Sequence, residues 1–500
     1  MNIPGILHLA LTAVSLSPTS ESSPRANAPA ELVLLGGSQV ARIELSVEVA
    51  GSPLHTVWDE TFARLFAFFD REGDGVLDEK EAALLPSPLA LRQAMGNGFT
   101  PPVGSAPAFA DLDRGDGKVR ADDLAAFYRG AGAGTVLIGV GRLPGTAELS
   151  TALIRSLDTD RNGELGQEEW KAAAGTLKKL DANDDELIGA GEIVPKLVYP
   201  GAAGTLLLTP AAGPAPSDVL AKLPLVLLPA DPKQTGWTVE VARRLPRFQA
   251  EELARWRKRE PDASWGVRLG DQPTSERFAF AGDGVRVSGW AASGKMKDSL
   301  STARRAMTGR FEVPWSGPEA GGNRRRGGDL SWLTPIADRD ANGKLDRTEL
   351  DAWLDLQAQL ARGQVLVTVL DGAGLFEILD TSHDGALSVR ELRAAWERLE
   401  EAGCVTGDTF DRARLPRVVL AAVSWGYPRD LALVARRGPA WSRAMDRNGD
   451  GDVSRREFTG PAAEFDKLDR DRDGLIDAAE AARAGASAEA SDTPPGRSRP

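Results

Sequence analysis

The sequence predicts an α+β protein in which two all-α modules flank a β-rich middle domain. In residues 56–200 and 331–485, apolar residues at helical spacing lead into short acidic loops, which indicates helices joined by charged turns. In residues 201–330, proline, glycine and β-branched residues dominate, and short apolar runs are separated by turn residues, as in strands. The predicted division is a signal peptide and spacer at 1–30, a β-strand segment at 31–55, the first helical module at 56–200, the middle domain at 201–330, the second helical module at 331–485 and a disordered tail at 486–500.

The composition restricts the kinds of site that this chain can build. It has 500 residues and a formal net charge of −12. Much of the acid lies in short periodic clusters, which favours metal ligands over a diffuse acidic surface, and nothing in the balance favours nucleic acid as a partner. With one cysteine, Cys404, and three histidines, the chain cannot form an intrachain disulfide, and a cysteine-based or histidine-rich metal site is not expected.

A predicted strand and a predicted helix precede the first acidic loop. Residues alternate between apolar and polar from Val40 to Val49, which is typical of a half-buried strand. Large apolar residues then recur at helical spacing from Trp58 to Phe69, directly before Asp70. A helix that leads into an acidic loop is the first half of a helix–loop–helix calcium site.

Seven segments contain the oxygen ligands that a twelve-residue calcium loop requires. Such a loop places side-chain oxygens at positions 1, 3 and 5, a backbone carbonyl at position 7 and a bidentate glutamate at position 12, because Ca²⁺ is a hard cation. Glycine at position 6 permits the sharp turn, and an apolar residue at position 8 packs between paired loops. In chain order, the candidate ligands at positions 1, 3, 5, 7 and 12 are Asp70, Glu72, Asp74, Val76, Glu81; Asp158, Asp160, Asn162, Glu164, Glu169; Asp181, Asn183, Asp185, Leu187, Glu192; Asp338, Asp340, Asn342, Lys344, Glu349; Asp380, Ser382, Asp384, Ala386, Glu391; Asp446, Asn448, Asp450, Asp452, Glu457; and Asp469, Asp471, Asp473, Leu475, Glu480.

Two of the seven loops depart from the ideal pattern. Glu72 replaces the usual shorter residue at position 3, and its longer side chain crowds the ion. Glu186 replaces the turn glycine at position 6, and a left-handed conformation costs a residue with a side chain about 1 kcal/mol or more. We therefore expect weaker binding in the loop that begins at Asp181.

Two further segments resemble loops that have lost their ligands. The segment from Asp113 to Asp123 is one residue short before its glycine, Gly117. The segment 403–414 has an apolar Phe410 at position 8 but Arg414 at position 12. Because arginine repels a cation, we expect the second of these to hold no calcium.

The spacing of the loops indicates pairs and an internal duplication. The loops at Asp158 and Asp181, and those at Asp446 and Asp469, begin 23 residues apart, as do Asp380 and the segment 403–414. This spacing predicts pairs of neighbouring helix–loop–helix units. A lone unit followed by a pair occurs in both halves, and a glycine-led β-branched run separates them at 134–140 and at 363–369.

The paired loops at Asp446 and Asp469, joined at Gly460 and Pro461, resemble those of exported multi-EF-hand proteins of bacteria, which are calmodulin-like in loop chemistry. The resemblance covers roughly residues 56–200 and 331–485, so the two helical modules are predicted to be EF-hand modules. It implies Ca²⁺ as the bound cofactor and leaves the biological role open. The loop at Glu186, the shortened segment at Asp113 and the segment 403–414 depart from the family pattern.

The N-terminus favours export. Residues 3–16 form an apolar run of signal-peptide length, and Ala28–Pro29–Ala30 would serve as a cleavage site. A cytoplasmic protein with a disordered start is the alternative, because no Lys or Arg precedes the run. The run is too short to cross a membrane, and no later segment is long and apolar enough to span one.

Three functions are compatible with these residues. The first is structural, non-enzymatic calcium binding outside the cytoplasm. The second is a calcium-dependent sensor or adhesion module that docks a protein partner, in which tryptophans on the outgoing helices (Trp170, Trp353 and Trp396) line an exposed groove instead of a core. The third is an enzyme with a site in the middle domain, which is not expected because Asp271, Glu276 and Asp283 form no recognisable constellation. His383, at position 4 of its loop, is expected to face solvent.

Overall fold

A computed structural model describes residues 29–35, 40–91, 105–131, 133–140, 145–197, 224–228, 258–270, 277–282, 284–292, 296–312, 330–372, 374–426 and 438–491. The apolar run at 3–16 and the three acidic residues Asp271, Glu276 and Asp283 lie outside this part of the chain. The disordered tail predicted at 486–500 overlaps the last helix, which continues to Ser491, and its other residues lie outside the described part. No described helix combines the length and the apolar character needed to cross a bilayer.

Helices and strands are interspersed along the described chain. The α-helices are α1 (Leu54–Phe69), α2 (Glu79–Ala82), α3 (Phe109–Leu112), α4 (Ala121–Gly130), α5 (Thr146–Leu157), α6 (Gln167–Lys171), α7 (Ala173–Leu177), α8 (Ala190–Ile193), α9 (Met296–Glu312), α10 (Thr334–Ala337), α11 (Arg347–Arg362), α12 (Leu375–Leu379), α13 (Val389–Arg393), α14 (Ala395–Glu401), α15 (Ala440–Met445), α16 (Ala462–Leu468) and α17 (Ala478–Ser491). The strands are β1 (Ala30–Leu35), β2 (Val40–Val49), β3 (Ser52–Pro53), β4 (Val136–Val140), β5 (Ile188–Gly189), β6 (Leu225–Leu227), β7 (Ala263–Leu269), β8 (Arg277–Gly282), β9 (Val285–Ala292), β10 (Val365–Gly372), β11 (Ala386–Leu387), β12 (Val405–Thr406), β13 (Thr409–Phe410), β14 (Arg417–Ser424), β15 (Val453–Ser454) and β16 (Leu475–Ile476).

The first sheet is built around the alternating segment 40–49. Strand β2 pairs antiparallel with β1 and parallel with β7, and the strand path is β3-β2-β1-β6. Ile43, Leu45 and Val47 of β2 are buried, whereas Ser46 and Glu48 between and beside them are exposed. The strand predicted from the alternation is confirmed, because successive side chains point to opposite faces of a sheet.

The second sheet joins strands from both halves of the chain, in the order β4-β10-β14-β9-β8. Strands β4 and β10 are the two glycine-led runs that the sequence suggested were duplicates. They lie side by side and run parallel, with Val136 opposite Val365. Strands β6 to β9, all from residues 201–330, pair with strands outside that segment as well as with each other. Among the described residues the middle segment therefore does not form a sheet of its own.

The second sheet is the central layer of the molecule because both of its faces are covered. On β14, Val419, Ala421 and Val423 pack in one core with residues of the first sheet. Val418 and Leu420 of the same strand point the other way, into a core of helices. The prediction of two all-α modules is thus wrong in one respect: residues 56–200 and 331–485 also supply β4, β10 and β14, whose β-branched residues fill both faces.

Among the described residues, two large apolar clusters of helices cross the predicted module boundaries, and a third, smaller one does not. One cluster combines α1 and α4 with α9 and α11. A second combines α5 to α8 with α12 to α14 and the second sheet. A third, smaller cluster lies inside residues 438–491 and contains Val453, Phe465 and Ile476. The first two cores each draw on both halves of the chain, so neither half completes its own core.

Candidate metal centre

Helix capping sets the two ends of the first candidate loop. At the first loop, the N–H of Asp70 donates to the carbonyl of Phe66 (2.9 Å) in the last turn of α1. The outgoing helix α2 begins at a reciprocal cap, in which Asp78 and Glu81 each accept from the other's backbone N–H. The acidic residues at positions 1, 9 and 12 therefore shape the helix–loop–helix unit before any ion is considered.

The position-12 glutamate closes each loop with both of its carboxylate oxygens. In the last loop, Glu480 accepts from the N–H of Arg470 at position 2 (2.7 Å) and of Asp477 at position 9 (3.1 Å). These two oxygens are the ones that a bidentate calcium ligand uses. The same two contacts, with positions 2 and 9, are made by Glu81, Glu169, Glu192, Glu349, Glu391 and Glu457.

The loop backbone folds around the position-1 aspartate. Asp158 accepts from the N–H groups of Asn162 and Gly163, each at 3.1 Å. In the last loop, Gly474 donates to Oδ2 of Asp469 (3.0 Å), but the buried Oδ1 has no hydrogen-bond partner. A buried carboxylate oxygen without a partner destabilises the fold. A cation held by this loop would satisfy that oxygen, so the residues present fit a metal ion.

Three loops bring carboxylates close enough to share one ion. In each, one oxygen from positions 1, 3 and 12 lies within 4.8 Å of the other two. This separation suits a cation that holds several oxygens at about 2.3–2.6 Å. In the other four loops, the described carboxylates do not form a group this tight. The three groups are Asp158, Asp160 and Glu169; Asp338, Asp340 and Glu349; and Asp469, Asp471 and Glu480.

Burial raises the pKa of carboxyl groups in two of the candidate loops. Burial, with the charges of Glu391 and Asp384, raises the pKa of Asp380 well above its ordinary value. Burial and the charge of Glu391 raise the pKa of Asp384 to about 6, and burial raises that of Asp450 to about 7. Carboxylates that hold their protons this strongly mark sites where ionisation needs a compensating positive charge. A divalent cation supplies that charge.

Left-handed backbone occurs at two positions of each of the seven loops. Position 6 is glycine in six of them, and Glu186 adopts the same conformation in the seventh, with φ of 68°. The backbone cost expected for that loop is therefore present. Position 4 is also left-handed, which the sequence reasoning missed; Gly73 and Gly449 at this position were the signal. The residues with side chains at position 4 are Arg161, Asp184, Ala341, His383 and Arg472.

The shortened segment at Asp113 keeps a loop fold but is neutralised by arginines. Asp113 accepts from three backbone N–H groups, including Gly117 (3.0 Å). Arg114 forms an ion pair with Asp123 (2.5 Å), and Arg120 forms one with Asp116 (2.8 Å). Internal cations thus occupy the acidic groups, in keeping with a loop that has lost its calcium.

The segment 403–414 folds differently from the seven loops. Its centre is a small hairpin in which β12 pairs with β13. Arg414 lies 3.4 Å from Asp411, and Cys404 is buried. The hairpin and the arginine leave this segment without the oxygen arrangement of the other loops, and the expectation that it holds no calcium stays a prediction.

The loops pair differently from the expectation based on spacing. The pair at Asp446 and Asp469 is confirmed by the pairing of β15 with β16. The other predicted pairs are wrong. The loop 181–192 pairs through β5 with β11 of the loop 380–391, and we call these two loops the crossed pair. The loop 158–169 contacts the segment 403–414 instead, where Phe410 N–H donates to Leu165 carbonyl (2.9 Å).

The crossed arrangement has a simple physical cause. Both halves present an apolar residue at position 8, with Ile188 opposite Leu387 in the crossed pair. Because the duplicated units carry the same chemistry there, spacing does not distinguish pairing within a half from pairing between halves. Parallel alignment of β4 with β10 brings the two halves together, and the loops at Asp158 and Asp181 lie against the units that follow β10.

His383 is buried rather than facing solvent. Its ring stacks on Trp290 of β9, with the centroids 4.6 Å apart and the planes at 19°. Burial lowers the pKa of His383 to about 3, so the imidazole is neutral at physiological pH. The crossed pair is therefore joined to the second sheet by an aromatic contact that the sequence did not reveal.

Comparison with known proteins adds a family to this geometry. A sequence model described as EF hand matches residues 373–395, 443–459 and 462–480. These segments contain the loops that begin at Asp380, Asp446 and Asp469. The chain binds Ca²⁺ through EF-hand loops. No curated protein and no solved structure shows a match to the chain.

Proposed function

We propose that this protein is an exported, non-enzymatic calcium-binding protein whose seven EF-hand loops, in residues 70–81, 158–169, 181–192, 338–349, 380–391, 446–457 and 469–480, each hold one structural ion. The ions would offset clusters of carboxylates that otherwise repel one another. Residues at positions 1, 3, 5 and 12 would supply side-chain oxygens, and position 7 a backbone carbonyl.

The observation that carries the proposal is the shared closure of all seven loops. Each position-12 glutamate accepts from positions 2 and 9, in the three segments that match the EF-hand family and in the four that do not. At the unmatched loop 338–349, Glu349 accepts from Arg339 (2.7 Å) and Asp346 (3.0 Å). Common local geometry supports a common ligand.

The burial of the tryptophans supports a structural role over a sensor role. Trp170, Trp353 and Trp396 have 1%, 4% and 8% of their surface exposed. They pack in the two cores that both halves build. A sensor that exposes an apolar groove on binding calcium would have to withdraw large aromatic groups from these cores.

Export rests on the sequence of the N-terminus and on the likeness of the loops to those of exported bacterial proteins. Outside the cytoplasm the loops would meet calcium at millimolar concentration, and extracellular sites bind with Kd of about 0.1–1 mM. At about 1 mM calcium, sites of that affinity would be roughly half to nine-tenths occupied at all times. Steady occupation suits a structural ion better than a signal.

Calorimetric titration of the ion-free protein with CaCl₂ tests the number of sites. Seven ions per chain are expected, and Glu480→Gln should remove one of them. Glu464→Gln is the matched control, because Glu464 forms an exposed ion pair with Lys467 (2.6 Å) outside the loops. A stoichiometry of three would restrict binding to the matched segments and contradict the proposal.

Thermal melts in calcium and in EDTA test the structural role. Chelation should lower the melting temperature and broaden the transition, because unpaired carboxylates then remain in the loops. Identical melts would contradict the role. Stronger binding of an apolar dye in calcium than in EDTA would favour the sensor instead.

A further inference from the structure

The C-terminal pair of loops is attached to the rest of the protein through charged contacts. We use this name for residues 438–491, which contain the loops 446–457 and 469–480. Their apolar cluster, with Val453, Phe465 and Ile476 at its centre, is separate from the larger helical cores. Polar contacts join the C-terminal pair to the crossed pair.

Arg456 connects the loop 446–457 with the loop 181–192. Its guanidinium donates to both carboxylate oxygens of Asp184 (2.7 and 2.5 Å) and lies 3.8 Å from Glu186. Asn448 adds a second contact, because its amide donates to the carbonyl of Asp185 (3.0 Å). Two candidate calcium loops from opposite halves of the chain thus touch directly.

A second set of contacts runs from the helix that leaves the loop 380–391. Arg390 donates to the carboxylate of Asp452 (2.6 Å) and lies 3.8 Å from that of Asp473. Arg393 donates to the carbonyl of Asp473 (2.6 Å) and lies 3.6 Å from its carboxylate. Both arginines therefore contact the C-terminal pair at residues of its calcium loops.

The arginine and amide contacts leave at least one possible ligand oxygen of each calcium-binding residue without an arginine. Asp184 and Glu186 occupy positions 4 and 6, which contribute no ligand, and Asp452 at position 7 binds an ion through its backbone carbonyl. Asn448 uses its amide N–H₂, so its oxygen stays available. Asp473 presents Oδ2 to the arginines, whereas Oδ1 accepts from Leu475 N–H (2.8 Å). The contacts between the two pairs are therefore compatible with bound ions.

The charge balance between the crossed pair and the C-terminal pair depends on calcium. The loop 181–192 has five acidic residues and no Lys or Arg, and the four loops together have 17 acidic and six basic residues. Without ions the two pairs repel each other, and the three arginines offset only part of the excess. Four Ca²⁺ ions, two in each pair, would add eight positive charges in total and leave the arginine contacts in place.

From these contacts we propose that calcium controls the docking of the C-terminal pair onto the crossed pair, with Arg456, Arg390 and Arg393 as the residues that hold the docked state. The inference rests on the proposed function, since it requires that these four loops bind calcium. Binding favours the docked state because it removes repulsion between the loops, and docking in turn strengthens binding by the same factor. When calcium is withdrawn, the C-terminal pair then separates from the crossed pair.

The distance between the two pairs tests the proposal in the full chain. Ala172→Cys and Ala463→Cys place spin labels at exposed positions, in a Cys404→Ala background that removes the native thiol. One narrow distance distribution is expected in calcium and a broader, longer one in EDTA. The same narrow distribution in both conditions, or a longer distance in calcium than in EDTA, would overturn the inference.

Arg456→Gln measures the contribution of one contact, and Arg455→Gln is its matched control. Both arginines are about half exposed, but Arg455 pairs with Asp466 inside the C-terminal pair. At half-saturating calcium, Arg456→Gln should lower the docking equilibrium constant about threefold, and the control should not change it. Equal effects of both variants would show that only overall charge matters.

A charge exchange separates direct contact from misfolding. Asp184→Lys and Arg456→Glu, each alone, should weaken docking, and the two together should restore it. Position 4 accepts a long basic residue in the same backbone conformation, as Arg161 and Arg472 show. Failure of the double variant to restore docking in a folded protein would count against the contact.

Calcium titration of the same variants distinguishes the two proposals. If the ions bind with the expected stoichiometry while the label distance stays constant, the docking inference fails and the proposed function stands. If no calcium binds to these loops, both fail. If Arg456→Gln retains all sites but shows weaker apparent calcium affinity in the four loops, the coupling of calcium binding to docking is supported.

Discussion

The crossed pair and the C-terminal pair use the same loop chemistry but are held in the molecule by different forces. The crossed pair lies on a core that includes the second sheet and both halves of the chain, with Phe376 and Leu420 buried in it. The C-terminal pair has a core of a few residues and contacts the crossed pair through ion pairs. The difference teaches that a common metal-binding motif does not imply a common energetic role.

Truncation of the central phenylalanine in each region should produce the largest contrast. Phe376 is fully buried and Phe465 is 1% exposed, so Phe376→Ala and Phe465→Ala should each destabilise their region by about 3–5 kcal/mol. Phe376→Ala should lower the main thermal transition, whereas Phe465→Ala should separate a small early transition for residues 438–491. Differential scanning calorimetry measures both, and a single transition shifted equally by the two variants would show that the regions unfold as one unit.

Removal of one bidentate ligand in each region should come next in size. Glu391→Gln and Glu457→Gln should each reduce the stoichiometry by one ion, as measured by calorimetry. At a calcium concentration a hundred times the Kd, the lost binding corresponds to about 2.7 kcal/mol of stability. Glu391→Gln should lower the main transition and Glu457→Gln only the early one. Unchanged melting of either variant in calcium would mean that its ion contributes nothing to stability.

The pH dependence of binding should differ between the two regions. A carboxylate with a raised pKa contributes stability to the ion-free fold that is complete below its ordinary value of 3.8 and is lost as the pH rises through the raised value. That value is about 7 for Asp450 in the C-terminal pair and about 6 for Asp384 in the crossed pair, where burial also raises the pKa of Asp380 well above its ordinary value. Since Ca²⁺ binds the ionised form, affinity should fall as the pH drops below these values, by up to about tenfold per unit for each proton released.

Calorimetry in buffers with different ionisation enthalpies counts the protons released. Release should be clear at pH 6 and absent at pH 9, and Asp450→Asn should remove the part contributed by the loop 446–457. Equal release at both pH values would contradict the assignment.

Glu186→Gly should have the smallest effect and the opposite sign. Glycine adopts the left-handed conformation at this position without the steric cost that Glu186 carries. Because glycine also makes the unfolded chain more flexible, the net stabilisation should be below about 1 kcal/mol. Calcium affinity of the loop 181–192 should rise slightly; a fall would show that the contact of Glu186 with Arg456 outweighs the backbone strain.

Local features of this fold were predictable from the sequence, whereas contacts between distant segments were not. The alternation in Val40–Val49 predicted its strand, and the spacing of carboxylates predicted the loops and their helix ends, because each depends on residues within a dozen positions. The pairing of β5 with β11 and the stacking of His383 on Trp290 depend on how the halves meet. Duplicated halves present the same apolar residue at position 8, so no local pattern selects the partner.

The parallel alignment of β4 with β10 has a consequence for synthesis. Among the described residues, β4 pairs with β10, and Val136 lies opposite Val365, more than two hundred residues later in the chain. At about 5–20 residues per second, the interval is roughly 10–50 s, during which the acidic loops of the first half exist without the central sheet. The parts of the fold that depend on this sheet can form only after β10 has been made, so the acidic charge of the early segments would help to keep them soluble until then.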